Sequence, residues 1–104
     1  MHNKFYDYIE DALNKTKYDT IQLLAKYLDV SPNRISQWKQ GRGSVTPAEC
    51  VQIADLLGLN VEEIAFIIEA EKQTLPEFKE KWIEKARIYQ RTVNPPNKYK
   101  KISK

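Results

Sequence analysis

The chain has 104 residues, a net charge of +3, one cysteine and one histidine, a length that suits one domain with a single modest core. Cys50 alone excludes an internal disulfide, and Cys50 with His2 cannot build a Cys/His zinc cage. The longest apolar run, Ile64-Ala65-Phe66-Ile67-Ile68, falls far short of the roughly 20 residues a membrane helix needs, so the expected compartment is the cytoplasm.

Helix starts and stops are legible along the whole chain. Asn3 predicts the cap of a first helix with Phe5, Ile9 and Leu13 on one face, fading between Lys15 and Tyr18. Asp19 or Thr20 caps a second helix that buries Leu24, Ala25 and Leu28. Ser31-Pro32 is a cap followed by a proline in the first turn, where the missing N–H costs nothing. The third helix runs to about Gln40 and stops at Gly41. Thr46-Pro47-Ala48-Glu49 is a capping box opening a fourth helix over Cys50, Ile53, Ala54 and Leu57, with Gly58 as its stop. Asn60 with Glu63 opens a fifth helix to about Gln73, and Thr74 with Glu77 opens a sixth to about Gln90. After Asn94-Pro95-Pro96-Asn97 comes a short tail carrying Lys98, Lys100, Lys101 and Lys104.

The distribution of charge is more informative than its sum. No acid lies between Asp29 and Glu49, whereas Arg34, Lys39 and Arg42 do. Charge alone leaves a solvated face and a polyanion-facing one equally open.

Residues 20–41 narrow the choice. Two short helices are joined by Leu28-Asp29-Val30-Ser31. Ala25 is small enough for a close helix crossing, and Val30 supplies an apolar anchor for the turn. Ile35 and Trp38, three apart, form the buried stripe of the second of these helices, with Trp38 expected between the second, fourth and fifth helices. The opposite face carries Pro32, Asn33, Ser36, Gln37 and Gln40. Amides and hydroxyls on such a face can read base edges in a major groove. Arg34, Lys39 and Arg42 flank it with no acid to offset them, as phosphate ligands require.

The segment TIQLLAKYLDVSPNRISQWKQG, residues 20–41, resembles the helix-turn-helix of the lambda-repressor-like, Cro/CI-type (XRE) regulators. The similarity rests on Leu24-Ala25, Leu28, Val30-Ser31, Ile35-Ser36, Trp38 and Gly41, and extends loosely over residues 3–73. ISQWKQGRG is especially similar to Cro-like proteins of temperate phages and prophages. Two positions depart: Ile21 stands where the family often has a phosphate-binding glutamine, with Gln22 one later, and Asp29 stands where it often has a turn glycine. Aspartate tolerates left-handed backbone better than most residues, so the turn is expected to survive.

The resemblance implies an all-α fold: a five-helix lambda-repressor-like DNA-binding domain, residues 1–73, with an additional C-terminal helix, 74–91, and a basic tail, 92–104. It implies that Pro32, Asn33, Ser36 and Gln37 face bases. The DNA backbone would be met by Thr20, Gln22, Ser31, Arg34, Lys39, Gln40 and Arg42. The implied activity is sequence-specific transcriptional regulation of double-stranded DNA, as a Cro/CI-like repressor, without enzymatic chemistry, cofactor or metal. The alternative on the same scaffold is a protein–protein module such as an antitoxin or anti-repressor. No nucleophile–base pair or phosphate loop argues for an enzyme, and Glu62-Glu63 reads as solvated helix charge.

The sixth helix carries a stripe of Leu75, Phe78, Trp82, Ala86 and Tyr89, widened by Ile83 and by Phe66 on the fifth helix. It either completes the core or forms a homodimer interface, and a dimer would read an inverted-repeat operator.

Overall fold

The computed structural model describes residues 2–90; the lysine-rich tail expected at 92–104 lies outside them. Six helices follow in order: α1 (Phe5–Lys15), α2 (Ile21–Leu28), α3 (Pro32–Lys39), α4 (Pro47–Leu57), α5 (Val61–Lys72) and α6 (Pro76–Gln90). The described residues are thus all-helical, five helices plus one at the C-terminal end.

The middle helices start and stop where local chemistry says they should. The Thr20 hydroxyl accepts from the Leu23 N–H at 3.1 Å, and Ser31 accepts from Arg34 at 3.2 Å. Thr46 and Glu49 form a reciprocal capping box, which satisfies two orphan donors at once. Asp29 takes the left-handed conformation, φ 58° and ψ 46°, so the turn tolerates aspartate in the place of glycine. The Val30 N–H then returns to the Ala25 carbonyl at 3.0 Å, locking the turn onto α2.

Several expectations at helix ends are corrected. Helix α1 begins after Lys4 rather than after an Asn3 cap, because the Asp7 carboxylate accepts from both the Asn3 and Lys4 amides. Asn60 precedes α5, but its side chain does not cap it; its amide donates to the Tyr89 carbonyl at 3.3 Å. Glu63 does not close a box either. It is 4 % exposed and accepts from the Tyr8 hydroxyl at 2.7 Å, so it is no solvated charge. Burial first, and then this carboxylate, push the Tyr8 phenol far above its ordinary value, so it stays a donor. Helix α6 starts at Pro76, with the Leu75 carbonyl taking its first hydrogen bonds, one residue later than a Thr74 cap implies.

One core joins all six helices. Tyr8, Ile9, Leu24, Ile35, Ile53, Leu56, Ile64 and Ile67 are fully buried. Leu56, not Leu57, is the deep residue of α4; Leu57 is half-buried. Trp38 is 4 % exposed as expected, but its aromatic neighbour is Phe5 of α1, edge to face at 5.2 Å between centroids. Helix α3 therefore seats chiefly on α1 and α2, with Arg34 reaching Glu49 of α4. Cys50 is buried, and desolvation raises its thiol pKa, as suits a small core hydrophobe.

Helix α6 folds back along α5. Ile83 and Ala86 are buried in the monomer core, which removes both from the interface proposed from sequence. The hydrophobic stripe divides because α6 presents two apolar faces. Ile83 and Ala86 point inward, while Leu75 and Phe78 are 50 % and 45 % exposed. Trp82 and Tyr89 lie between these extremes, their rings tilted against Phe66 with centroids 5.7 and 5.6 Å away.

Candidate nucleic-acid interface

Helix α3 is short, and its sequence leaves it one buried stripe. Ile35 is 0 % exposed, and Trp38 beside it is fixed by its indole N–H donating to the Ser44 carbonyl at 3.2 Å. Apart from half-buried Arg34, the rest of the helix and its C-cap turn outward: Pro32, Asn33, Ser36, Gln37, Lys39 and Gln40 are all exposed. Asn33 and Gln37, one turn apart, thus display two amides side by side, each able to donate and accept in one plane. The exposed face of α3 carries no acidic side chain.

The approaches to this face are polar donors. Thr20 and Ser31 spend an oxygen lone pair on capping, yet both are exposed, and each O–H stays available to a phosphate oxygen. Gln22 is exposed in the first turn of α2, whereas Ile21 is half-buried against the core. The position of the family's glutamine is therefore spent on packing.

The loop after α3 is held under the helix end. The Gly41 amide donates to Trp38 and the Arg42 amide to Gln37, at 3.0 and 2.8 Å. Gly41 and Gly43 take φ of +74° and +78°, a conformation that penalises side chains. At Gly43 the backbone also lies against Gln37 and Trp38, since an added Cβ would stand 3.6 Å from Gln37 Oε1. This packing sets the position of Arg42, an exposed residue whose guanidinium donates to the Gln40 side chain.

Arg34 departs from the expectation. Its Nε and Nη2 donate to the two Glu49 carboxylate oxygens at 2.9 and 2.8 Å. Nη2 also reaches the Ser44 carbonyl at 2.9 Å, and the guanidinium lies over the Trp38 ring at 5.2 Å. Burial pushes the Glu49 carboxyl up, but the hydrogen bonds from Arg34 and Thr46 outweigh it and hold the group below its ordinary value. Glu49 in turn raises the Arg34 pKa. Arg34 is thus a brace between α3, the loop and α4 rather than an unopposed phosphate ligand. The acid-free window ends at Glu49, and the fold brings that boundary residue back onto the first cation in the window. Lys39 and Arg42 remain exposed beside the reading face.

Glu49 and Ser44 are the functional supports that sequence reasoning missed. The spacing of Thr46 and Glu49 announced a cap, but nothing local announced a reach of 15 residues to Arg34.

The described residues hold no group of three or more side chains able to bind a metal, and no helix among them is long and apolar enough to cross a membrane. No curated protein and no solved structure matches the chain significantly. The helix-turn-helix family profile, in contrast, matches residues 9–64. That span runs from within α1 to the first turn of α5, more than half of the chain, and includes the entire α2–turn–α3 unit. The chain therefore belongs to the helix-turn-helix family of lambda-repressor-like (XRE) type, a family of DNA-binding transcriptional regulators.

Proposed function

We propose that this protein is a sequence-specific repressor of Cro/CI type, of phage or prophage origin, that binds an inverted-repeat operator as a homodimer. The observation that carries the reading is the exposed, acid-free polar face of α3, braced from behind by Trp38 and the Arg34–Glu49 pair. Residues 1–73 act as the DNA-binding unit. Pro32, Asn33, Ser36 and Gln37 meet base edges, and Lys39, Gln40 and Arg42 meet the backbone with Thr20, Gln22 and Ser31. Phosphate contacts set register and affinity, while base contacts set sequence.

The dimer rests on the outer stripe of α6. Leu75 and Phe78 are exposed and continue into Trp82, Tyr89 and Phe66, and two reading helices must stand about 34 Å apart to enter successive major grooves. Selection of bound sequences from a random duplex pool, followed by salt titration of the winners, tests the proposal. A palindromic consensus and a steep salt dependence are expected. Binding without sequence preference would overturn it in favour of an antitoxin- or anti-repressor-like protein interaction module.

A further inference from the structure

An open cavity of about 580 Å³ lies between the start of α1, the loop after α3 and the α5–α6 pair. Its floor is apolar. Phe5 and Trp38 meet there edge to face, and Ile68 and Ile83 line it beside them. All four belong to the packed core and are almost fully buried, so they present edges rather than whole faces to the cavity.

The rim is cationic. Lys4, Arg42 and Lys79 line it against one carboxylate, Glu71. Lys72 is also present, but its ammonium pairs with Glu69 at 3.1 Å. Burial raises the Glu71 carboxyl above its ordinary value while Lys79 and Lys4 pull it back, and this one carboxylate offsets only part of the rim's charge. Positive charge is left in excess over an aromatic floor. Small-molecule pockets occupy roughly 300–1,000 Å³ and combine an apolar lining with a few convergent polar groups. A duplex backbone is convex and hydrated and has no use for buried aromatic edges.

We propose that this cavity binds a small aromatic carboxylate, its ring against Phe5 and Trp38 and its charge toward Lys79 and Arg42, and that occupancy weakens DNA binding. A third ring extends the edge-to-face pair favourably. The coupling follows from the wall: residues 41–45 line the cavity, and within that loop the Arg42 amide is tied to Gln37 of the reading helix. An anion that draws the Arg42 guanidinium into the cavity removes it from phosphate, and linkage makes the effect reciprocal. Only this coupling rests on the function proposed above; binding of the carboxylate does not.

The test titrates the full chain with naphthalene-2-carboxylate and, separately, with naphthalene-2-carboxamide, following amide and indole N–H chemical shifts. Saturable carboxylate binding is expected, with shifts centred on Phe5, Trp38 and Ser44 and an affinity about tenfold above that of the carboxamide. Lys79→Gln should weaken the carboxylate about threefold while the melting temperature holds. Absence of saturation, equal affinity for the two probes, or shifts centred elsewhere overturns the site. Saturating carboxylate should also lower affinity for a random-sequence duplex, and an unchanged affinity overturns the coupling. A chain that binds the probe as expected but no duplex at all refutes the repressor reading and leaves the cavity assignment standing.

Discussion

Replacing Glu49 by alanine removes two things at once: half of the capping box of α4 and the only acidic partner found for Arg34 among the described residues. Loss of the reciprocal half of the box, with the Thr46 hydroxyl still capping α4, costs under about 1 kcal/mol. A hydrogen bond to a charged group contributes about 1.5–3 kcal/mol. Breaking a fully buried pair costs about 3–5 kcal/mol, because the surviving charge is stranded. Here the Arg34 side chain is 29 % exposed and that of Glu49 8 %, so water recovers part of the guanidinium's loss. A total of about 2–4 kcal/mol follows. Urea denaturation with an unchanged m-value measures it as a lower midpoint. A double-mutant cycle with Arg34→Ala should give a coupling of about 1.5–3 kcal/mol. Arg34→Lys should restore little, since an ammonium cannot reproduce the two-pronged geometry. Acid should mimic the lesion. The folded Glu49 pKa lies below its ordinary value of 4.5, so its contribution is full above that pH and disappears as the pH falls through the lower folded value. A coupling under about 0.5 kcal/mol, the level of an exposed surface pair, would refute the bracing role.

Arg34→Ala should therefore lower stability without changing the salt slope of DNA binding, whereas Lys39→Ala and Arg42→Ala should each reduce that slope by about one, read by titration with monovalent salt. Gln37→Ala should cost about 1–3 kcal/mol at one base-pair position and spare non-specific affinity; an unchanged ranking in an operator substitution scan would dismiss Gln37 as a base reader. Trp38→Ala should cost about 3–5 kcal/mol of stability through the cavity left beside Phe5, measured by thermal melting. Phe78→Glu should convert a sedimenting dimer to monomer with the fold retained, because Phe78 is 45 % exposed; a wild-type chain that stays monomeric on DNA would exclude the dimer.

What could be read from sequence was what is decided within one turn of helix. The caps at Ser31 and Thr46, the choice of Asp19 or Thr20 before α2, the proline starts, and the buried pair Ile35 and Trp38 depend on neighbours three or four residues away. The side chains whose partners lie far along the chain could not be read that way. Glu63 and Asn60 occupy the positions of a capping box, yet Tyr8 and Tyr89 claim their side chains. Arg34 looked unopposed because Glu49 closes on it only through the packing of α3 against the following loop. For α6 the apolar stripe was visible, but a stripe does not name its cover. Ile83 and Ala86 went to α5, while Leu75 and Phe78 did not.

The contacts that close the molecule have unequal entropic weight. Tyr8 meets Glu63 across 55 residues, and Asn3 meets Arg87 across 84. Taken alone the longer loop costs only about 0.4 kcal/mol more to close than the shorter. Once α1 has docked on α5, however, α6 need only fold back as the second arm of a helical hairpin. Docking of α1 is then the step that confronts a long chain, and the rate of folding should follow substitutions at Tyr8 and Glu63 far more closely than substitutions at Asn3 and Arg87.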